Sequence, residues 1–109
     1  MTKNKTENLQ EKLQEIKDQE GIIGYILRDE KSASIDLKDP KKIIEYAMLS
    51  STAFDVGLNI SEDLQMGELE KILLESEETK LLSMNIDDQR LSIFMKKNVN
   101  HKKIYKEIK

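Results

Sequence analysis

Few residues in this chain could do chemistry, and their types and spacing limit what that chemistry would be. The single histidine, His101, has no cysteine and no second histidine as company. It therefore lacks the partners of a metal site or of a nucleophile–base pair. It sits in the stretch from Lys96 to Lys109, which carries six lysines and one glutamate, and reads there as a surface residue. Carboxylates gather at Glu75-Glu77-Glu78 and at Asp87-Asp88, each in a polar break between apolar runs. Sequential strands would put these two turns at opposite ends of a meander, out of reach for shared acid–base work. Neither has the ligand spacing of a calcium loop. The glycines at 21, 24, 57 and 67 are too scattered to cradle a phosphate, and Gly21-x-x-Gly24 is too short for a dinucleotide fingerprint. Tyr25, Tyr46, Phe54, Phe94 and Tyr105 do not form the paired aromatic set of an RNA-binding sheet. The expectation is a non-enzyme with no cofactor, no metal and no nucleic-acid partner, which acts by binding other protein chains.

The composition agrees with that reading. Apolar residues make up 38% of the chain and charged residues 36%, with a net charge of -3. The apolar residues are clustered, so a folded domain is expected. The 109 residues fit one domain, 1–109, with an ordered core of about 7–108. Cysteine is absent, which is compatible with a reducing compartment. No run approaches the 18 or so apolar residues of a membrane span. Met1-Thr2-Lys3-Asn4-Lys5 leads into a charged segment without the apolar core of a signal peptide. Cytoplasmic localisation without membrane insertion is expected, and the lysine-rich end reads as a solvated tail.

The elements follow from periodicity. Leu9, Leu13 and Ile16 recur at helical spacing between about Thr6 and Gln19, and Gly21 ends that helix. Ile22 to Asp29 reads as a strand buried on both sides, and Ser32 to Leu37 as its antiparallel partner across a short polar turn. Asp39-Pro40 opens a helix that runs to about Gly57 or Asn59, with Ser61 to Gly67 as a polar connection. Three strands follow as a meander, Leu69 to Glu75, Lys80 to Ile86 and Arg90 to Lys96. Leu82, Met84 and Ile86 share one face, as do Leu91, Ile93 and Met95. Asn100 to Ile108 closes the chain as a short helix with Ile104, Tyr105 and Ile108 on its apolar side.

The central helix carries more apolar surface than one sheet can cover. At about 100° per residue, Lys41, Glu45, Thr52, Asp55 and Asn59 form one polar wedge. Ile43, Ile44, Ala47, Phe54 and Leu58 fall on one flank of the remaining arc. Tyr46, Leu49, Ala53, Val56 and Ile60 fall on the other, with Ser50 and Gly57 between the flanks. The non-polar arc spans about 240°, against the ~100° that a helix resting on one sheet needs. A second surface is therefore expected, most simply the same helix of another copy in a two-fold dimer. The wheel by itself does not choose the flank; the second is taken as the interface.

Two phrases and the order of elements resemble the Roadblock family, which includes dynein light-chain roadblock and the MglB-like regulators. The first phrase is Gly21-Ile22-Ile23-Gly24-Tyr25-Ile26-Leu27-Arg28-Asp29. The second is Gly67-Glu68-Leu69-Glu70-Lys71-Ile72-Leu73-Leu74-Glu75, followed by the hairpin Lys80 to Lys96 and the exit Asn98-Val99-Asn100. The first hairpin turn, Glu30-Lys31-Ser32, departs from the family in lacking its usual glycine. The resemblance implies an α+β domain of order αββαβββα. Its five-stranded antiparallel sheet would carry the central helix on one face and the terminal helices on the other. It further implies a homodimer, or a heterodimer with another Roadblock-like chain, with paired central helices and the Leu69–Glu75 strands joined edge to edge through Ile72 and Leu74. By analogy it implies a Ras-like small GTPase bound near Lys41, Glu45, Thr52, Asp55 and Asn59, with the protein as regulator or scaffold. The alternative is an architectural adaptor in a larger assembly that touches no GTPase.

Overall fold

The computed structural model describes the backbone of residues 5–109 and the side chains from Leu9 onward, apart from that of Ile43. The place of Ile43 on the first flank thus lies outside the described residues. Helix α1 (Lys5–Lys17) buries Leu9, Leu13 and Ile16, the three residues of its apolar stripe. Strands β1 (Ile22–Arg28) and β2 (Ala33–Leu37) form the first antiparallel hairpin. Gly24 lets β2 close on β1, because a Cβ there would run into the Asp36 carbonyl and Leu37. The turn between them holds without a glycine. The Asp29 carboxylate accepts the Lys31 and Ser32 N–H groups, each at 2.8 Å, in an Asx-type turn. Those two donors, Lys31 first, hold the Asp29 carboxyl below the usual carboxylate range.

The segment after Asp39 begins differently from the sequence expectation. Asp39 Oδ1 accepts the Lys41 N–H at 3.1 Å, but what opens at Pro40 is one 3-10 turn, Pro40–Lys42. Helix α2 proper runs Ile43–Asp63, past the expected end at Gly57 or Asn59 and through Ser61. Gly57 is a packing residue rather than a terminator: a Cβ there would collide with Ile72 of the neighbouring strand. Ser61 is buried, and its hydroxyl donates to the Gly67 carbonyl at 2.9 Å. The helix stops at Gln65, which has a φ of 52°, and the Met66 N–H closes back onto the Ser61 carbonyl at 2.9 Å. This is a Schellman-type termination with a non-glycine residue in the left-handed position.

Strands β3 (Lys71–Glu75), β4 (Thr79–Ile86) and β5 (Gln89–Lys96) form the meander, and β5 pairs antiparallel with β1. The sheet order is β2-β1-β5-β4-β3, antiparallel throughout. Helix α3 (His101–Ile108) is capped by Asn100, whose side chain accepts the Lys102 and Lys103 N–H groups at 3.1 and 3.2 Å. It buries Ile104 and Ile108.

Two unequal cores result. On one face α1 and α3 cover Leu27, Leu82, Met84, Leu91, Ile93 and Met95 in a large cluster with Ile86 at its margin. On the other, α2 covers a small cluster of Ile26, Leu37, Leu81 and Phe94. The middle of that second face is made of small polar residues. Ser83 and Ser92 are buried as cross-strand partners with their hydroxyls 2.8 Å apart. The expected order αββαβββα, with α2 opposite the terminal helices, is the observed architecture.

Candidate interaction surface

Helix α2 meets the sheet through the centre of its non-polar arc, where its smallest residues lie. Ser50 and Ser61 are buried and Gly57 is half-buried, so the helix axis comes close to the strands. The nearer members of both flanks pack inward. Tyr46 stacks on Phe94 with ring centroids 4.6 Å apart, and Ala47 and Ala53 pack on the small core. Phe54 is fully buried, with the Arg90 guanidinium 4.1 Å above its ring. The outer members remain in water: Leu49 is 57% exposed, Val56 50% and Ile60 50%. On the opposite margin Ile44 is exposed as well, and Met48 stands exposed within the angular range of the polar wedge.

The interface set read from the wheel therefore divides. Tyr46 and Ala53 are partly buried against the chain's own small core, whereas Leu49, Val56 and Ile60 are each half exposed or more. The physical reason is angular. At about 100° per residue, positions 46 and 53 are some 40–60° closer to the Ser50–Gly57 centre than position 49. The outward apolar surface also continues beyond the helix, to Leu64 at 67% and Met66 at 68% exposure. Neither residue stood out in the sequence, because both lay in a segment read as a polar connection.

The edge strand β3 adjoins this flank. Ile72 and Leu74 pair with Ser83 and Leu81 of β4, so both lie on the α2 side of the sheet. Ile72 packs over Gly57, whereas Leu74 is half exposed. Among the described residues the outer edge of β3 has no strand partner. Between α2 and β3 lies an open groove of about 290 Å³, lined mainly by Ile23, Tyr46, Leu49, Leu74, Leu81 and Phe94.

The polar wedge Lys41, Glu45, Thr52, Asp55 and Asn59 is exposed along its length. Asp55 is engaged by Arg90 at 3.3 Å, an exposed ion pair of small energetic weight. Arg28 and Arg90 are cross-strand neighbours on β1 and β5, and Arg28 donates to the Ser51 hydroxyl at 2.7 Å. Both arginines thus tie the sheet to α2.

The lysine-rich end holds a feature that the sequence did not disclose. His101 is half-buried rather than a surface bystander. The buried Lys80 ammonium donates to the Val99 carbonyl and lies 3.2 Å from His101 Nδ1, which must then act as an acceptor on a neutral ring. Burial, and then the Lys80 charge, hold the imidazole below its ordinary value of 6.5, opposed by Glu75 at 3.9 Å. Lys80 could be recognised only from its cross-strand place next to the α3 entry. Among the described residues no group of three or more His, Cys, Asp and Glu side chains is placed to hold a metal. No described helix is long and apolar enough to cross a membrane.

No family model matches the sequence, and no curated protein matches it. Solved structures do match in shape. A Roadblock/LC7 domain from Streptomyces avermitilis superposes with a TM-score of 0.72 at 14% identity, over 91% of this chain and 83% of that one. The gliding protein MglB from Thermus thermophilus gives 0.68 at 15% identity, over 98% and 84%. A structure described as MglB with a tetrameric arrangement gives 0.68 at 16% identity, over 98% and 84%. Identities this low speak to the fold, and with the element order, sheet order and helix placement above they show that the chain has the Roadblock-like α+β fold.

Proposed function

We propose that the protein is a non-catalytic dimeric module that binds a Ras-like small GTPase as regulator or scaffold. The observation that carries this reading is the outer half of α2, where Leu49, Val56 and Ile60 stand half in water beside a β3 edge that has no strand partner among the described residues. Complete burial of such side chains is worth about 1.5–3 kcal/mol each, so shielding the exposed halves of all three yields about 2–4 kcal/mol. A domain of this size has little stability to spare, and an apolar open edge invites pairing. A second copy supplies both needs at once. The fold shared with the two MglB structures favours the GTPase reading, and the exposed wedge Lys41, Glu45, Thr52, Asp55 and Asn59 is the surface assigned to that partner.

Capture experiments test the partner. The dimer, immobilised, is offered small GTPases from the same genome loaded with GDP or with a non-hydrolysable GTP analogue. Nucleotide-dependent capture that falls with Glu45→Lys and Asp55→Lys is the expected result. A dimer that captures no GTPase in either state overturns the GTPase reading and leaves the architectural adaptor.

A further inference from the structure

We propose that β2 is a second self-association surface, at which the Ala33–Leu37 strands of two copies join antiparallel about Ile35. The surface is separate from the α2 dimer, because β2 and β3 are opposite edges of the sheet. The first observation is the parity of the first hairpin. The Lys38 N–H donates to the Ile23 carbonyl and the Asp29 N–H to the Ser32 carbonyl, each at 3.0 Å. Even-numbered residues of β2 therefore turn their backbone groups toward β1, and Ala33, Ile35 and Leu37 turn theirs to the outer edge. Among the described residues no strand or turn bonds to that edge.

Proteins usually blunt an open edge with a lysine, a proline or a bulge. Strand β2 has none of these: it reads Ala-Ser-Ile-Asp-Leu, and its register with β1 is unbroken. Its one charge, Asp36, is held by Lys17 of α1. Ala33, Ser34 and Ile35 are exposed. Ile35 lies opposite Ile26, on the α2 face of the sheet.

The edge is complementary to a second copy of itself. A two-fold axis at Ile35 pairs Ile35 with its own counterpart and each Ala33 with the other copy's Leu37, so all three outward residues are used. Each of these pairs exchanges two N–H···O bonds across the seam. The same axis sets Ser34 opposite Asp36, so no like charges face each other. The flanks match in charge as well. Asp29 and Glu30 precede the strand, and Lys38, Lys41 and Lys42 follow it, all of them exposed. Antiparallel joining brings the acidic turn of each copy beside the lysines of the other, and Lys31 opposite Asp39.

Five residues a side bury less than the roughly 1,200 Å² of a stable interface, so the contact is weak and sensitive to salt. In the α2-paired dimer one β2 edge lies at each end of the joined sheet. The contact then links dimers in series with every α2 on the same side, because a two-fold normal to the sheet does not turn it over. A partner with several binding points would meet a row of α2 faces and gain by avidity.

The chain has no cysteine, which makes cross-linking a clean readout. Ser34 and the other copy's Asp36 form a non-hydrogen-bonded pair, the closer kind, within reach of a disulfide. Ser34→Cys and Asp36→Cys proteins are mixed at a concentration on the order of 0.1–1 mM, where so small a contact is occupied, and oxidised with diamide. The expected result is a linked pair from the mixture and none from either variant alone. Sedimentation of the wild type over the same range should show a mass that grows beyond the dilute species and falls back in high salt. Ile35→Lys should abolish the growth while leaving the circular dichroism and the dilute mass unchanged. A wild-type mass that stays constant up to about 1 mM overturns the proposal and leaves the edge to a strand of another protein. A Ser34→Cys protein that links to itself as readily as to Asp36→Cys overturns it too. The dilute mass judges the α2 dimer separately: single chains there, with the mixed link still formed, overturn that dimer and leave the β2 pair.

Discussion

The two faces of the sheet differ in how completely one chain closes them. Beneath α1 and α3 the described residues include thirteen buried apolar side chains in one cluster, most of them large. Beneath α2 the corresponding cluster has four, with Ile23, Tyr46, Ala47 and Ala53 partly buried against it, beside the fully buried Phe54 and the small buried residues Ser50, Ser83 and Ser92. The first face uses apolar stripes no wider than the surface they cover. The second uses a helix brought close by small residues, with much of its apolar circumference left outside. The difference separates two jobs: the α1/α3 face makes the protomer stable, and the α2 face, on the reading proposed here, makes it associate.

That division can be broken by substitutions on either side. Ile93 is fully buried under α1 and α3, and Ile93→Ala should cost about 2–5 kcal/mol in denaturant unfolding. The loss should be the same in protomer and dimer; a loss seen only as weaker association would reverse the assignment of faces. Val56→Asp should do the opposite. It should weaken dimerisation by about tenfold to a hundredfold, equivalent to about 1.4–2.8 kcal/mol, with the protomer's own unfolding barely moved. If instead Val56→Asp unfolds the protomer, α2 is holding the fold and the comparison fails. Asn100→Ala removes the cap of α3 and should cost about 1 kcal/mol of fold stability without changing the dissociation constant.

The smallest expected effect is on pH dependence, and it sharpens the account of the closed face. His101 binds its proton less readily in the folded chain than its ordinary value of 6.5, so the unfolded chain takes up more protons as pH falls. Its contribution is present above about pH 6.5 and is lost as pH falls below that through the lower folded value. Lys80, Lys71 and Lys102 act in this sense and Glu75 against it. His101→Gln should flatten the stability profile just below pH 6.5, leaving the later acid limb set by carboxylates such as Asp29 and Glu75, both held low. An unchanged slope in that window would show that the Lys80–His101 contact does not bear on folding.

Local signals made much of the fold legible. The alternation of Leu82, Met84 and Ile86, and of Leu91, Ile93 and Met95, identified the buried face of two strands, because a two-residue period leaves one choice once the apolar side is known. Asn100 marked the start of α3 as a side-chain cap should. The pairing of β1 with β5 was not legible, since nothing in either hairpin alone records which edge meets the other. Nor was the facing of α2. A helical wheel gives relative angles, and the inward side of this helix mixes Tyr46, Ala47, Ala53 and Phe54 with the small residues Ser50 and Gly57, which hydrophobicity alone does not single out. Gly57 read as an end because glycine usually ends helices; here it makes room for Ile72. The same reading hid Leu64 and Met66. Of the candidate site, the wedge residues are exposed, Tyr46 and Ala53 pack in part on the chain's own small core, and exposed apolar surface continues past Asp63 to Leu64 and Met66.

The most direct test is the mass of the untouched protein in solution. Light scattering at micromolar concentration should return about 25 kDa, twice the 12.7 kDa of one chain, and stay there on modest dilution. A steady 12.7 kDa would mean that Leu49, Val56 and Ile60 remain in water by themselves, and the claim that α2 awaits a second copy would be wrong.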